Sequence, residues 1–277
     1  MTDNKQSNEK RDFKKELKME LYHDNFQNYK RYSIPKAQLV IADIPYNLDA
    51  NAYASSPQWW IGGDRHNGAS DKAGKAFFRG DKNFNLVEYM HFCNKLLIKE
   101  PKERGKAPAM IIFCAFSQMQ MLLDLGKRYG FNNGYPLFFF KNYSAQVLKA
   151  NMKIVGATEH AVVLYRNKLP KFNNNGKMIF NWMEWPRDTA TVKIHPTQKP
   201  IALLSKLIKL FTDPYDVVID PVAGSGITLR AANMLKRNSY GFEVAKEVYV
   251  LAKKHVIDSY TIDKKLQLKY EKTQKLF

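Results

Sequence analysis

The chain has 277 residues, 45% of them hydrophobic, which is enough for one large α/β domain or for one domain with an insert. Lysine and arginine number 44 against 26 acidic residues, and the net charge of +18 makes a polyanion the obvious partner, with a merely solubilising surface as the alternative. The chain has only two cysteines, Cys93 and Cys114, which excludes a disulfide framework. It has no apolar run of membrane-spanning length, and its charged N-terminal segment is not a signal peptide. We therefore expect a cytoplasmic protein.

The first apolar run ends in a short motif that carries chemistry. Residues 1–18 predict a flexible basic arm, and the β-branched run Leu39 to Ala42 predicts a buried strand. Asp43-Ile44-Pro45-Tyr46 follows, at the edge where open α/β sheets bind ligands. A tyrosine ring can stack on a flat group, while a carboxylate and a backbone carbonyl accept its N–H bonds. The motif indicates a site for a planar amine; the alternative is a plain strand-ending turn.

A long basic stretch at residues 51–85 comes next, with Trp59 and Trp60 among glycines, lysines and arginines. Such a composition suits backbone contact and stacking with nucleic acid. We predict a mobile loop that faces DNA, with disorder as the alternative.

Helices and strands then alternate. The predicted segments are a helix, a strand, a helix and two strands, at Leu86 to Lys99, Ala109 to Phe116, Ser117 to Arg128, Pro136 to Asn142, and Ala161 to Tyr165. This alternation predicts an α/β fold with a mostly parallel sheet and helices on both faces.

Residues 166–190 interrupt that alternation and predict a β-hairpin with its turn at Asn175-Gly176. The loop His195 to Pro200 then enters an amphipathic helix, Ile201 to Phe211, with Pro200 in the first turn.

A second acid-terminated strand, Val217 to Asp220, leads into a glycine turn and a helix from Leu229 to Leu235. Glycines 224 and 226 allow a ligand to approach the backbone, and the next predicted strand, Ser239 to Val244, carries Glu243 about 20 residues later, where an acid can accept ribose hydroxyls. The unit indicates a nucleoside cofactor; an ordinary βαβ unit is the alternative. Residues 261–277 form a basic tail.

Taken together, the Asp-Ile-Pro-Tyr block, the His-Pro-Thr-Gln-Lys-Pro block and the Asp-Pro-Val-Ala-Gly-Ser-Gly block resemble, in this order, the amino-group DNA methyltransferases of permuted beta type, the DNA methylase N-4/N-6 family. The resemblance spans about residues 20 to 257. The chain departs from the family at Ile44, where proline is usual, and at Ala223, where a bulkier residue or cysteine is commoner. The resemblance implies a Rossmann-like methyltransferase fold with a catalytic half (19–165), a target-recognition hairpin (166–190) and a cofactor-binding half (191–260).

The resemblance also assigns site residues, and no metal. The implied catalytic residues are Asp43, Ile44, Pro45 and Tyr46. The implied contacts of S-adenosylmethionine are Asp24, Asn25, Asp43, His195, Thr197, Lys199, Asp220, Pro221, Ala223, Gly224, Ser225, Gly226 and Glu243. The implied substrate contacts are Phe139, Phe140, Lys141, Arg166 and Lys177, and we expect Lys168, Lys171 and Arg187 to assist the hairpin in reading sequence. For any one phenylalanine of the aromatic strand, a place in the core is an equal alternative.

The activity implied is methyl transfer to the N6 amine of a flipped adenine in double-stranded DNA, in a bacterial or phage-type cytoplasm. Asp43 favours adenine, because relatives acting on cytosine more often have serine there. The alternatives are an N4-cytosine DNA methyltransferase, an RNA-base methyltransferase and an inactive DNA-binding relative. A homodimer and a cognate restriction nuclease are further partners compatible with the resemblance, which leaves an orphan enzyme open.

Overall fold

The structure is a computed structural model that describes residues 17–46, 84–141, 146–149, 154–189, 191–195 and 197–261. The predicted basic arm, loop and tail lie outside these residues, apart from a few of their end positions.

Ten strands and five α-helices form the described part of the chain. The strands are β1 (Met19–Tyr22), β2 (Leu39–Asp43), β3 (Ala109–Cys114), β4 (Asn133–Lys141), β5 (Gln146–Lys149), β6 (Ile154–Gly156), β7 (Thr158–Tyr165), β8 (Trp182–Trp185), β9 (Val217–Asp220) and β10 (Asn238–Phe242). The helices are α1 (Leu86–Leu96), α2 (Met119–Arg128), α3 (Ile201–Phe211), α4 (Ile227–Met234) and α5 (Lys246–Ala252). None of the described helices has the length and apolarity needed to cross a membrane.

Eight of the strands form one sheet in the order β1-β10-β9-β2-β3-β7-β4-β8. The first five run parallel, β7 runs antiparallel to both of its neighbours, and β8 is parallel to β4. β5 and β6 form a separate antiparallel pair. The predicted Rossmann-like, mostly parallel sheet is confirmed, and the reversal of β7 brings its first residues to the carboxyl edge of β3 and β4.

Helices cover both faces of the sheet, as predicted. One core cluster packs α3 and α4 on the face that carries Leu39, Ile41 and Val218. The other packs α1 and α2 on the face that carries Val40 and Ala42. These alternating positions on β2 are all buried, which is why its sequence is a continuous apolar run.

Two predicted elements differ from the structure. Ser117 does not cap the second helix: residues Phe116–Gln118 form a 3-10 turn, and the α-helix begins at Met119.

The hairpin predicted within residues 166–190 is also wrong, although its turn forms. Asn175 and Gly176 have φ values of 53° and 72°, and Lys177 N donates to Asn174 O at 3.0 Å. The flanks do not pair with each other, because Trp182–Trp185 adds to the edge of β4 as a parallel strand and the Asn173 side chain donates to Lys209 O and Thr212 O at the end of α3.

Candidate active site

The two acid-terminated strands lie side by side. Asp43 and Asp220 are 177 positions apart (220 minus 43), yet β2 and β9 are neighbours in the sheet. The chain continues from β2 to β3 and from β9 to β10 in opposite directions, with α1 on one face and α4 on the other. Such a switch point opens a crevice outside the carboxyl ends of the strands. The two motifs therefore meet in one crevice.

Asp43 ends β2 with one carboxylate oxygen paired and the other unpaired. Oδ2 lies 2.7 Å from Lys199 Nζ. Oδ1 is buried and has no hydrogen-bond partner among the described residues. Burial raises the pKa of Asp43, and the adjacent Lys199 ammonium opposes that rise. Because a buried acceptor without a donor is costly, Oδ1 is suited to an incoming N–H group.

Lys199, from the loop that enters α3, is a buried lysine enclosed by aromatic rings. Its Nζ atom lies 5.2 Å from the ring centroids of both Phe113 and Trp185, and 5.8 Å from that of Tyr46. Although burial lowers the pKa of Lys199, Asp43 and Glu159 more than offset this effect and raise it above its ordinary value. Lys199 is therefore a permanent positive charge at neutral pH, held by carboxylates and ring faces.

Glu159, the second residue of β7, joins this cluster from the opposite side. The Tyr46 hydroxyl donates to Oε2 at 3.0 Å, Lys141 forms an ion pair with Oε1, and Lys199 Nζ lies 4.0 Å from Oε2. Although burial alone would raise the pKa of Glu159, the two lysines hold it below its ordinary value. Two acids and two lysines thus form an electrically neutral network at the carboxyl edge of the sheet.

The backbone after Asp43 is fixed by a buried glutamine. Gln118 Nε2 donates to Pro45 O at 3.0 Å, while its Oε1 accepts from Ala115 N at 3.0 Å. Ile44 N donates to Phe113 O at 3.2 Å, and the Ile44 side chain is buried in the core. Isoleucine at position 44 therefore adds core packing, and its side chain points away from the crevice.

The glycine turn after β9 forms as predicted. Asp220 is buried, accepts from Val222 N at 3.2 Å and from the Thr228 hydroxyl, and has its pKa raised by burial to about 7. Gly226 caps α4 with a φ of 73°, and Gly224 has a φ of 49° with no atom within 4 Å of where a Cβ would lie. The turn residues Pro221, Ala223 and Ser225 are buried. The turn thus offers open space beside backbone and a buried carboxyl group.

Glu243 lies directly after β10 and beside this turn. Its side chain accepts from Ala245 N at 2.7 Å and from the backbone of Gly224 and Val244, and burial raises its pKa. The backbone of Glu243 also binds β1, since Glu243 N donates to Tyr22 O at 3.0 Å. The acid predicted to bind a ribose is therefore brought to the glycine turn, while its role stays a prediction.

Asp24 and Asn25 follow β1 at the same edge, and both have local partners. Asp24 accepts from Asn25 N at 2.7 Å, Asn28 Nδ2 at 2.6 Å and the Tyr32 hydroxyl at 2.9 Å. Asn25 caps the 3-10 turn Phe26–Arg31 by accepting from Gln27 N. These bonds give both residues a structural role in the loop; their contact with a cofactor remains a prediction.

His195 and Thr197 hold the loop that carries Lys199. Thr197 Oγ1 lies 3.0 Å from His195 Nδ1, and Gln198 N donates to His195 O at 3.2 Å. Burial, together with Lys199 and Lys193, lowers the pKa of His195 to about 4. His195 is therefore neutral at physiological pH and adds no charge to the crevice.

The predicted stacking role of Phe139 is wrong, because its side chain is 0% exposed and stacks on Phe113 in the core. Strand alternation places Phe140 on the other face, where it is 47% exposed and packs edge-on to Trp182. Lys141 pairs with Glu159 instead of facing solvent.

Arg166 was expected to contact DNA, but it lies at the opposite, amino edge of the sheet. Its guanidinium donates to Ile98 O at 3.1 Å and Asn94 Oδ1 at 2.9 Å, and it covers the Phe131 ring. Lys171 is likewise buried between Asp213 and Asp216. These contacts make both residues structural and correct their predicted recognition role. Lys177 is exposed beside its turn, and its contact with DNA remains a prediction.

Sequence reasoning missed Glu159, Gln118 and Trp185. Each reaches the site through a long-range contact that no local motif encodes. A charged residue two positions before the apolar run Ala161 to Tyr165 was the available signal for Glu159.

Comparisons with known proteins agree with this geometry. The model of the N6/N4 methyltransferase family, described as DNA methylase, matches residues 37–254. The DNA adenine methyltransferase YhdJ of Escherichia coli (strain K12) is 24% identical over 286 residues, which cover 95% of this chain and 92% of YhdJ.

Solved structures share the fold. The M1.HpyAVI–SAM complex has a TM-score of 0.62 at 24% identity, covering 86% of this chain and 98% of that one. The PvuII cytosine-N4-specific DNA methyltransferase has a TM-score of 0.59 at 15% identity, covering 87% and 89%.

Proposed function

Since this chain belongs to the N6/N4 DNA methylase family, whose members use S-adenosylmethionine, we propose that it methylates the N6 amine of an adenine flipped out of double-stranded DNA. One observation carries the proposal: Asp43 Oδ1 is a buried, unpaired acceptor beside the Tyr46 ring. The similarity to the DNA adenine methyltransferase YhdJ and the acid at position 43 support adenine as the base.

The chemistry follows from what these residues can accept. An exocyclic amine is a poor nucleophile, because its lone pair is delocalised into the ring. Asp43 Oδ1 and the Ile44 carbonyl would accept hydrogen bonds from its two N–H groups, which draws the nitrogen toward tetrahedral geometry, while Tyr46 holds the base by stacking. Because burial raises the pKa of Asp43, this carboxylate can also take the proton that the methylated nitrogen releases.

The glycine turn fits the cofactor. The space at Gly224 that a Cβ would fill lies open, and two carboxyl groups accept from the turn backbone, Asp220 from Val222 N and Glu243 from Gly224. Bound S-adenosylmethionine supplies a methyl group activated by the sulfonium. Asp220 and the turn residues would hold its methionine part, and Glu243 would accept the ribose hydroxyls.

Cofactor affinity is expected to depend on the ionisation of Asp220. Its pKa of about 7 means that the carboxyl is neutral below that pH and negative above it. Because the cofactor is cationic, binding favours the ionised form, and affinity should rise about tenfold from pH ~5.5 to pH ~7. Isothermal titration across this range measures the slope. An Asp220→Asn variant should bind with little pH dependence; a variant with the wild-type slope would assign the effect to another group.

The base is identified by labelling. Purified protein is incubated with bulk DNA and S-[methyl-³H]adenosylmethionine, and the DNA is digested to nucleosides. We expect label in N6-methyl-2′-deoxyadenosine. Label in N4-methyl-2′-deoxycytidine would replace the proposal with the cytosine alternative. Label only with an RNA substrate would favour the RNA-base alternative, and no transfer to any nucleic acid would leave an inactive DNA-binding protein.

A further inference from the structure

Glu159 is a partly buried acid that does not belong to any of the three sequence blocks. Its side chain is 19% exposed, and all its partners are side chains of the crevice: Tyr46, Lys141 and Lys199. Placing a carboxylate there costs several kcal/mol of desolvation unless charged partners offset it. Here two lysines and the Tyr46 hydroxyl offset this cost, so the four groups form one network of ion pairs and hydrogen bonds.

We propose that Glu159 is a positioning residue that orients the Tyr46 ring and shares Lys199 with Asp43, so that one Asp43 oxygen stays unpaired for the target amine. The inference rests on the proposed function only in requiring an exocyclic amine as the target, whether on adenine or on cytosine.

The contact with Tyr46 fixes a ring orientation. The hydroxyl donates to Glu159 Oε2 at 3.0 Å, 113 positions along the chain. Gln118 holds the backbone directly before Tyr46, since its Nε2 donates to Pro45 O. Glu159 holds the far end of the Tyr46 side chain. A stacking residue tethered at its far atom has less rotational freedom, so less entropy is lost when a base stacks on it.

The contact with Lys199 divides one ammonium between two acids. Nζ is 2.7 Å from Asp43 Oδ2 and 4.0 Å from Glu159 Oε2. With Glu159 neutral, the ammonium would be attracted chiefly to Asp43 and could bridge both of its oxygens. Oδ1, now without a partner, would then be occupied, and the amine would lose an acceptor.

Lys141 keeps the total charge at zero. It pairs with Glu159 and lies 5.0 Å from the centroid of Trp185, so the four charged groups balance. Asp220, on the neighbouring strand β9, is a further acid close to this network, and it is neutral below pH ~7.

The test is Glu159→Gln, which keeps the size of the side chain and an acceptor for Tyr46 but removes the charge. We expect kcat to fall 10- to 100-fold while the Kd for cofactor stays within about twofold, because the glycine turn is untouched. Glu184→Gln, at an exposed acid on β8, is the matched control and should keep wild-type kcat.

A second variant guards against misfolding. Tyr46→Phe keeps the ring and loses the tether, so its kcat should also fall, and combining it with Glu159→Ala, which removes the acceptor of the same hydrogen bond, should cost less than the product of the two single effects. Wild-type kcat in either single variant, or strictly multiplicative losses in the pair, would overturn the role. If wild-type protein transferred no methyl group to any exocyclic amine, the proposed function would fall as well; an active wild type with a fully active Glu159→Gln variant would overturn the role of Glu159 alone.

Discussion

Asp43→Ala is expected to abolish methyl transfer, lowering kcat by about 10³-fold or more, while the protein stays folded and binds S-adenosylmethionine. Removing one preorganised polar contact to the reacting group of an active site costs about 10²- to 10³-fold in general. Here the change removes both the unpaired Oδ1 acceptor and the partner of Lys199. Single-turnover rates with labelled cofactor, beside calorimetric cofactor binding, separate the two effects.

Asp43→Asn is the informative companion variant. It keeps the shape and one acceptor oxygen but loses the negative charge, so it should retain more activity than alanine and less than wild type. Equal activity in wild type and Asp43→Ala would remove Asp43 from the chemistry. Loss of cofactor binding in Asp43→Ala would indicate that the main role of Asp43 is to bind the cofactor.

Lys199→Met is expected to destabilise the protein by about 3–5 kcal/mol near pH 8, because removing one member of a buried ion pair leaves uncompensated charge. Asp43 and Glu159 would both lose their shared cation. Activity should fall as well, since the remaining acids repel each other across the crevice. Urea denaturation with matched kinetic assays measures both quantities.

The loss of stability should shrink at lower pH. In the wild type, the lysines hold the pKa of Glu159 below its ordinary value, which adds stability above its unfolded pKa. Without Lys199, the folded-state pKa of Asp43, which burial already raises, would rise further, and that of Glu159 would rise as well. The folded variant would then retain protons as pH falls, so its deficit should be smaller near pH 5 than near pH 8. A deficit independent of pH would contradict the electrostatic explanation.

Lys171→Met is the matched control for this experiment. Lys171 is also a buried lysine between two carboxylates, with 2.7 Å contacts to Asp213 and Asp216, but it lies at the amino edge of the sheet. Its replacement should lower stability without changing methyl transfer per folded molecule. The comparison separates the loss of a buried charge from the loss of the site.

Local sequence patterns correctly predicted the elements whose structure depends on neighbouring residues. α3 begins and ends where its apolar stripe does, at Ile201 and Phe211, and both acid-terminated strands form as their β-branched runs indicate. The turn at Asn175-Gly176 forms because its backbone conformation is a property of those two residues. The hairpin does not form because Trp182–Trp185 pairs instead with Phe138 to Lys141 of β4, a partner far away in the sequence.

The site residues that could not be predicted are those positioned by contacts between segments far apart in the sequence. In a run of three phenylalanines, period two fixes that neighbours face opposite sides, but only the tertiary structure decides that Phe139 is buried and Phe140 exposed. The same holds for Glu159, whose position at the crevice depends on the reversed direction of β7. The prediction for Arg166 was wrong for the same reason, because Arg166 follows the last residue of β7 and so lies at the opposite edge of the sheet from Glu159.

The adjacency of β2 and β9 also has a kinetic consequence. Leu39 pairs with Val218, 179 positions away (218 minus 39), so forming this contact closes a loop whose entropy cost is about 5 kcal/mol. Strands β2 and β3 can pair over a shorter separation and earlier. A folding chain can therefore pair β2 with β3, and so position Asp43, before the glycine turn docks beside it. The recovery of methyl transfer during refolding would therefore report when β2 pairs with β9.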